Sequence, residues 1–280
     1  MSLKNKNITL RIVGGLGNQL FIFAFLLYLE KHLKTRICID FKSGYQNILG
    51  SNKHNEIFLL YKLKYNFYYQ KDKFCYLGYI GKLRRFLLRK SKLFSIFTNT
   101  SYVTEDKKGN ILTKIRNNKF KNIYIDGYFQ DLKYINENKK KINNLIKTSI
   151  SFNNNSRKIN ANNTMCILYS NYMHQTNKSA INFEYKLKKV LKNFNLFYIF
   201  SYNYSKNLNK IFKKKKIKNI KPNKKKDSFK NLILISKFKY FISDNSTYHW
   251  WGIWLSNFKK KTVYKLNKIN KNILYNNYVN

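Results

Sequence analysis

Short apolar segments recur along this chain and are separated by turns or amphipathic stretches. Residues 8–13 are rich in β-branched and aliphatic side chains, which predicts a strand. Gly14, Gly15 and Gly17 follow, and they predict a tight turn because glycine adopts backbone conformations that a Cβ disfavours. Residues 20–29 are all apolar and predict a helix. The N-terminal segment is therefore expected to form a strand, a glycine turn and a helix.

The alternation of strands with helices continues through both halves of the chain. Further strands are predicted at residues 36–41, 122–126, 164–169, 196–201 and 240–243. Further helices are predicted at residues 81–90, 131–146, 183–194, 205–212 and 228–237. The lysine-dense residues 213–226 are predicted to form a surface loop. Strands that alternate with helices indicate parallel sheets.

A polar stretch at residues 153–163 breaks every apolar periodicity and predicts a linker. We therefore expect a Rossmann-like N-terminal domain at residues 1–155 and a second Rossmann-like domain at residues 156–280. The predicted fold class is α/β, with the two domains facing a cleft. Clefts between domains are common ligand sites.

The large net positive charge of the chain says less about its binding partners than its magnitude suggests. The 280 residues include 56 Lys and Arg but only 12 Asp and Glu, a net charge of +44. The excess is mainly lysine in a sequence also rich in asparagine and isoleucine, as adenine- and thymine-rich coding produces. The lysines are spread over both halves, so no nucleic-acid partner is expected. Anionic partners such as nucleotide diphosphates remain favoured.

Cysteines, histidines and apolar runs indicate a cytoplasmic protein without a metal. Cys38, Cys75 and Cys166 form no Cys-x-x-Cys pair, which favours a reducing compartment. The four histidines show no metal-ligand spacing. Residues 20–29 are too few to span a bilayer. Residues 81–90 mix apolar and basic side chains, which is typical of a helix that covers a core and, less commonly, of an interfacial helix at the inner face of an anionic membrane.

The glycine turn is the first candidate for chemistry. A helix start presents free N–H groups to an anion or a sugar hydroxyl. The turn is not a dinucleotide fingerprint, because Leu20 stands where a third glycine is required. The glycines alone are compatible with a plain turn between strand and helix. The amides of Asn18 and Gln19 favour ligand binding, since they donate and accept hydrogen bonds.

Two further features leave alternatives open. Asp40 ends a predicted strand, so it either contacts a substrate or caps the next element. All three tryptophans of the chain, Trp250, Trp251 and Trp254, lie within one predicted helical turn and a half. They do not all fit one core face at helical spacing, so at least two are expected in the core and one beside a pocket.

Three motifs occur in one order along the chain. They are Gly-Gly-Leu-Gly-Asn-Gln-Leu-Phe at residues 14–21, Asp-Gly-Tyr-Phe-Gln at residues 126–130, and Asn-Ser-x-x-x-Trp-Trp-Gly-x-Trp-Leu at residues 245–255. In this order and spacing, over residues 10–266, the chain resembles the bacterial α-1,2-fucosyltransferases of glycosyltransferase family 11.

The resemblance implies a GT-B-like architecture with an acceptor-side N-terminal domain and a C-terminal domain that binds the nucleotide sugar. It implies transfer of fucose from GDP-fucose to a galactoside hydroxyl of a surface-glycan precursor, with inversion. It implies no cofactor and no obligatory metal. The expected partners are the sugar donor and a galactoside-containing glycan, with peripheral membrane contact as an addition.

One departure from the family opens a second hypothesis. The family carries His-x-Arg-Arg-Gly-Asp-Tyr where this chain has residues 166–172, and only Tyr172 is retained. The lost arginine meets the diphosphate in the family, and a lysine does not replace its bidentate geometry. Ser201-Tyr202-Asn203 likewise replaces a Ser-Asp-Asp segment. The alternative is therefore a catalytically degenerate glycan- or nucleotide-binding protein.

Inverting transfer needs a group that accepts the hydroxyl proton. The candidates for this base are Asp126, Asp131 and Asp40. The residues predicted to bind substrate are Gly15, Gly17, Asn18, Gln19, Gly127, Gln130, Tyr172, Asp244, Asn245, Ser246 and Trp250.

Overall fold

The computed structural model describes residues 5–45, 58–105, 110–149, 164–168, 185, 187, 194, 196–200, 216–220, 228–243, 246–258 and 260–265. The chain divides into two compact units, Met1–Ser149 and Ile150–Asn280. The sequence predicts this boundary six positions later, after residue 155. Each unit contains one five-stranded sheet in which every strand pair is parallel. The α/β class is confirmed.

The first unit contains a sheet with the strand order β3-β2-β1-β5-β4. The strands are β1 (Asn7–Arg11), β2 (Cys38–Asp40), β3 (Tyr68–Tyr69), β4 (Thr100–Thr104) and β5 (Asn122–Asp126). The helices are α1 (Leu16–Leu33), α2 (Lys42–Tyr45), α3 (Gly78–Lys90), α4 (Lys92–Phe97), α5 (Ile111–Arg116), α6 (Leu132–Asn136) and α7 (Lys139–Ser149). Short 3₁₀ turns lie at Leu60–Lys62 and Asp72–Phe74.

The register places the polar strand ends along one edge of this sheet. Arg11 pairs with Asp40 across β1 and β2, and Thr104 pairs with Asp126 across β4 and β5. Parallel strands bring their carboxyl ends to the same edge, which is where open α/β sheets bind ligands. The chain thus gathers charged and hydroxyl side chains at the carboxyl edge of this sheet.

Helix α1 is the centre of the first core. Every residue from position 20 to position 29 is buried, and the helix contacts α5, α6 and the 3₁₀ turn at Leu60–Lys62. Phe25 stacks on Phe129 with ring centroids 3.9 Å apart. The predicted helix is confirmed, and it begins four positions before the apolar run, at Leu16.

The second unit contains a sheet with the order β10-β9-β6-β7-β8. Its strands are β6 (Thr164–Leu168), β7 (Leu196–Phe200), β8 (Lys216–Ile220), β9 (Tyr240–Ser243) and β10 (Thr262–Lys265). Helices α8 (Ser228–Ile235) and α9 (Thr247–Trp254) pack on each other. Their approach is close, since a Cβ at Gly252 would lie 2.5 Å from Cγ2 of Ile235.

Two sequence predictions of secondary structure were wrong. The expected loop at residues 213–226 contains β8, which carries Lys216 and Lys218 at its start, and an edge strand tolerates such lysines. The single helix expected at residues 131–146 is interrupted between α6 and α7. There the Asn138 side chain donates to the carbonyl of Tyr134 at 3.1 Å. The helix predicted at residues 205–212 and most of that at 183–194 lie outside the described residues.

Candidate functional site

The turn between β1 and α1 needs its glycine. Gly14 has a φ of +85°, in the left-handed region. A Cβ at this position would lie 2.8 Å from Nδ2 of Asn18 and 3.3 Å from Cε1 of Tyr128. The absent side chain therefore lets two other chain segments approach the strand end. Gly15 precedes α1 in an extended conformation, and Gly17 is buried inside the helix.

Gln19 braces this turn. Its side chain is fully buried, its Nε2 donates to the carbonyl of Gly14 at 2.9 Å, and its Oε1 accepts from the backbone N–H of Leu59 at 2.8 Å. Tyr45 donates to the same Gly14 carbonyl at 2.9 Å. The structure thus places Gln19 as a support for the glycine turn, although the sequence had predicted a ligand contact.

Asn18 and Gln130 join the first two motifs. Nε2 of Gln130 donates to Oδ1 of Asn18 at 3.1 Å, across 112 positions of sequence. Both side chains are partly exposed. The predicted substrate residues of two distant motifs therefore meet at the carboxyl edge of the first sheet.

The backbone around Gln130 is held in an uncommon conformation. Phe129 has a φ of +50°, which is rare for a bulky side chain and occurs mainly where the surroundings enforce it. The stacking of its ring on Phe25 supplies this constraint. Gly127 lies in a confined space, since a Cβ there would lie 3.0 Å both from Cζ of Phe129 and from Cβ of Glu105. The second motif is thus a fixed bend that directs Gln130 toward the glycine turn.

Asp126 is the centre of a charged cluster beside this amide pair. Nη1 of Arg11 lies 3.3 Å from Oδ1 and 3.4 Å from Oδ2 of Asp126. Tyr102 donates its hydroxyl to Oδ2, and Nη2 of Arg89 lies 3.9 Å from the same oxygen. The Asp126 side chain remains 13% exposed. We call these four residues, Arg11, Arg89, Tyr102 and Asp126, the Asp126 cluster.

The electrostatics of the cluster fix the protonation of Arg11 and Tyr102. Burial lowers the pKa of the Arg11 guanidinium, but the combined interactions with Asp126, Tyr124 and Tyr102 outweigh this effect and raise it. Burial and the Asp126 charge together raise the pKa of Tyr102 to about 12. At neutral pH Arg11 is therefore a cation and Tyr102 a neutral hydrogen-bond donor.

Asp40 lies on the neighbouring strand and has no exposed surface. Its Oδ1 accepts from the backbone N–H of Ser43 at 3.0 Å, and its Oδ2 accepts from the Tyr124 hydroxyl at 2.6 Å. Of the two alternatives left open by the sequence, the structure supports the one in which Asp40 holds the turn into α2. Asp131 has a similar role, because it is exposed and caps α6 by accepting from Lys133 N at 2.9 Å.

In the second unit, two tryptophans belong to the core. Trp250 and Trp251 are buried, while Trp254 is half-buried, as the helical spacing predicted. The Trp250 ring, a predicted substrate contact, has almost no exposed surface. Ser246 is half-buried and immediately precedes α9. Three predicted residues lie outside the described part of the chain, namely Tyr172, Asp244 and Asn245.

Sequence reasoning missed Arg11, Tyr102 and Arg89. Arg11 carried a usable signal, because a cation at the end of a mostly buried strand needs a nearby anion. Tyr102 and Arg89 carried none, since their place depends on the pairing of β4 with β5 and on the packing of α3.

A cavity of about 490 Å³ opens near the carboxyl ends of β2 and β3. It is lined chiefly by aromatic residues, including Phe41, Phe58 and Tyr69, and Lys42 is among its other lining residues. Cys75 also lines it, and burial followed by the Asp40 charge raises the pKa of its thiol to about 12. This thiol is therefore protonated and unreactive at neutral pH.

Among the described residues, no cluster of three or more His, Cys, Asp or Glu side chains has the arrangement of a metal site. In the same part of the chain, no helix combines the length and apolar character needed to cross a bilayer. No protein-family model matches the chain, and no curated protein matches it. Fold and site therefore define an α/β protein with two parallel sheets and a polar cluster at a carboxyl edge.

Proposed function

We propose that this chain is a glycosyltransferase that resembles the galactoside α-1,2-fucosyltransferases. It transfers fucose from GDP-fucose to a hydroxyl of a surface-glycan precursor, with the two units arranged in the GT-B manner. The observation that supports this function best is the hydrogen bond between Asn18 and Gln130, which unites two motifs of the family at the ligand-binding edge of a parallel sheet.

The chemistry of this edge suits a sugar. Amide, carboxylate, guanidinium and phenol groups lie together, and hydroxyls of a sugar ring both donate to and accept from such groups. The Tyr128 ring is partly exposed and lies beside the glycine turn, where it offers an apolar face. In this proposal the first unit binds the galactoside acceptor.

Among the three candidate bases, the geometry favours Asp126. Asp40 is fully buried and Asp131 is an exposed helix cap, whereas Asp126 lies in the cluster and is partly exposed. Arg11 and Tyr102 orient its carboxylate, as a catalytic base requires. The acceptor hydroxyl gives its proton to Asp126, its oxygen bonds to the fucose C1 from the face opposite GDP, and the bond from C1 to the diphosphate breaks.

The donor belongs to the second unit in this proposal. Asp244, Asn245 and Ser246 precede α9, whose first N–H groups favour an anionic ligand. The charge of GDP also suits a chain with a formal net charge of +44. No metal or cofactor is required by this scheme.

The loss of the diphosphate arginine favours one alternative, a degenerate protein that binds a glycan or nucleotide without transfer. Cys166, Ile167 and Leu168 are all buried in β6, so the described end of the segment offers apolar side chains. An arginine introduced to test this point belongs beyond the strand, as in Tyr169→Arg.

The test incubates the purified full chain with GDP-fucose and a panel of β-galactosides. We expect GDP release that depends on the galactoside and a fucosylated product in the mass spectrum. Calorimetric titration with GDP separates the alternatives. Binding without transfer, strengthened by Tyr169→Arg, supports the degenerate protein, and neither binding nor transfer with any nucleotide sugar overturns both hypotheses.

A further inference from the structure

Helices α3 and α4 expose a concentrated set of large apolar side chains. Phe97 is 88% exposed and Leu93 is 79% exposed. The exposed members of this surface, which we call the α3–α4 patch, are Tyr79, Ile80, Leu83, Phe86, Leu93, Ile96 and Phe97. Concentrations of this kind on a protein surface mark interaction sites, whereas single exposed apolar residues need no explanation.

The patch faces away from the first unit. Gly81 and Leu88 form the buried side of α3, and a Cβ at Gly81 would overlap the backbone carbonyl of Tyr76. At 100° per residue, Leu83 and Phe86 lie on the opposite side of the helix. The commoner sequence interpretation, a helix whose apolar face covers the core, is therefore wrong for α3. The close inner contact leaves the larger apolar side chains pointing outward.

The border of the patch is strongly basic. Six cationic residues lie within the two helices, and no Asp or Glu occurs anywhere between Lys73 and Thr104. The six are Lys82, Arg84, Arg85, Arg89, Lys90 and Lys92. Arg85 and Arg89 are engaged with Tyr76 and Tyr102, while Lys82, Arg84, Lys90 and Lys92 are exposed.

We propose that the α3–α4 patch docks on the surface of an anionic phospholipid bilayer. An apolar helix face bordered by cations matches both layers of such a surface, because the rings enter the acyl boundary and the cations meet the headgroup phosphates. Protein interfaces are depleted in lysine, so the border favours a lipid surface over a protein partner. This inference does not rest on the proposed function.

One consequence does rest on the proposed function. Arg89 belongs to α3 and lies 3.9 Å from the Asp126 carboxylate, so docking through α3 brings the bilayer next to the Asp126 cluster. An acceptor glycan attached to a lipid would then reach the cluster from the membrane surface.

The experiment measures cosedimentation of the full chain with vesicles of phosphatidylcholine alone or mixed with phosphatidylglycerol, at about physiological salt and at about 0.5 M salt. High salt screens the attraction between the cations and the anionic vesicles, whereas binding through aromatic rings inserted into the bilayer persists. We expect binding to the anionic vesicles that survives at high salt. The variant Phe86→Ser with Phe97→Ser is expected to lower the partition coefficient about tenfold or more.

The matched control is Tyr61→Ser with Tyr185→Ser, which removes two aromatic rings that are 58% and 70% exposed outside the patch. Its partition coefficient is expected to stay within about twofold of the wild type. Binding that vanishes at high salt, or that is equal in all three proteins, would show adsorption by net charge and overturn the proposal. Self-association in sedimentation velocity that the phenylalanine variant abolishes, without vesicle binding, would overturn it in favour of a protein interface. Circular dichroism verifies that each variant is folded.

Discussion

Asp40 and Asp126 end two strands that flank the same central strand, β1, yet their surroundings differ sharply. Asp40 is fully buried and hydrogen-bonded to Ser43 and Tyr124, whereas Asp126 is partly exposed and forms an ion pair with Arg11. Both residues look alike in sequence, as an acid after an aliphatic strand. The comparison teaches that the end of a strand determines where an acidic side chain lies. The residues that pack around that side chain determine whether it has a structural or a chemical role.

The largest effect is expected from Asp40→Ala. The substitution leaves the Ser43 N–H without this acceptor and the buried Tyr124 hydroxyl with the 3.3 Å contact to Oγ of Ser43, and lost hydrogen bonds of buried groups are costly. The free energy of unfolding is expected to fall by about 3 kcal/mol. Urea denaturation measures it. A loss under about 1 kcal/mol would show that Asp40 is not the support described here.

The next largest effect is expected from Gln19→Leu, which tests the support of the glycine turn that follows β1. Leucine keeps the approximate volume but removes the bonds to Gly14 and Leu59, so the loss of unfolding free energy is expected to be about 2 kcal/mol. Equilibrium denaturation gives the value. An unchanged midpoint would argue that the amide does not brace the turn, and would restore Gln19 as a ligand contact.

A smaller effect on stability is expected from Asp126→Asn. Asparagine retains an acceptor for Arg11 and Tyr102, and the site is partly exposed, so the loss is expected to be about 1 kcal/mol or less. Urea denaturation of Asp126→Asn and Asp40→Asn under the same conditions compares the two losses directly. Equal losses of unfolding free energy for Asp126→Asn and Asp40→Asn would contradict the distinction between a structural support at Asp40 and a functional site at Asp126.

The smallest effect concerns alkaline pH. Tyr102 has a pKa of about 12 when folded and an ordinary pKa near 10 when unfolded, because burial and Asp126 oppose its ionisation. Between these values the unfolded state binds fewer protons, so the contribution of Tyr102 is present below pH 10 and is lost as the pH rises to about 12. Tyr102→Phe is expected to reduce this loss by under about 1 kcal/mol. Unfolding curves across the window measure the difference between the two proteins, and parallel pH dependences would contradict it.

Much of the fold was predictable because apolar periodicity and the residues that end a strand or helix are local features of the sequence. The strand at Asn122–Asp126, the strand at Tyr240–Ser243 and the long helix after the glycine turn follow from apolar runs and their boundaries. The edge strand β8 was missed because its lysines resemble a solvated loop. The outward face of α3 was missed because amphipathicity alone does not tell which side a helix buries; the close contact at Gly81 decides this.

The candidate site was predictable only in part. The motifs indicated Asn18, Gln130 and Asp126 as polar residues near strand ends, and the register of a parallel sheet brings them to one edge. The burial of Asp40 and Gln19 was not predictable, since it depends on Tyr124 and Leu59, which lie far away in sequence. Long-range pairing of this kind leaves no local pattern.

The most direct test of the central claim is the rate of fucose transfer by Asp126→Asn relative to the wild type, with Asp131→Asn as the exposed-carboxylate control. We predict measurable transfer by the wild type, a decrease of about a hundredfold or more for Asp126→Asn, and a near-normal rate for the control. Equal rates for the wild type and Asp126→Asn, or no transfer by the folded wild-type chain, would contradict the assignment.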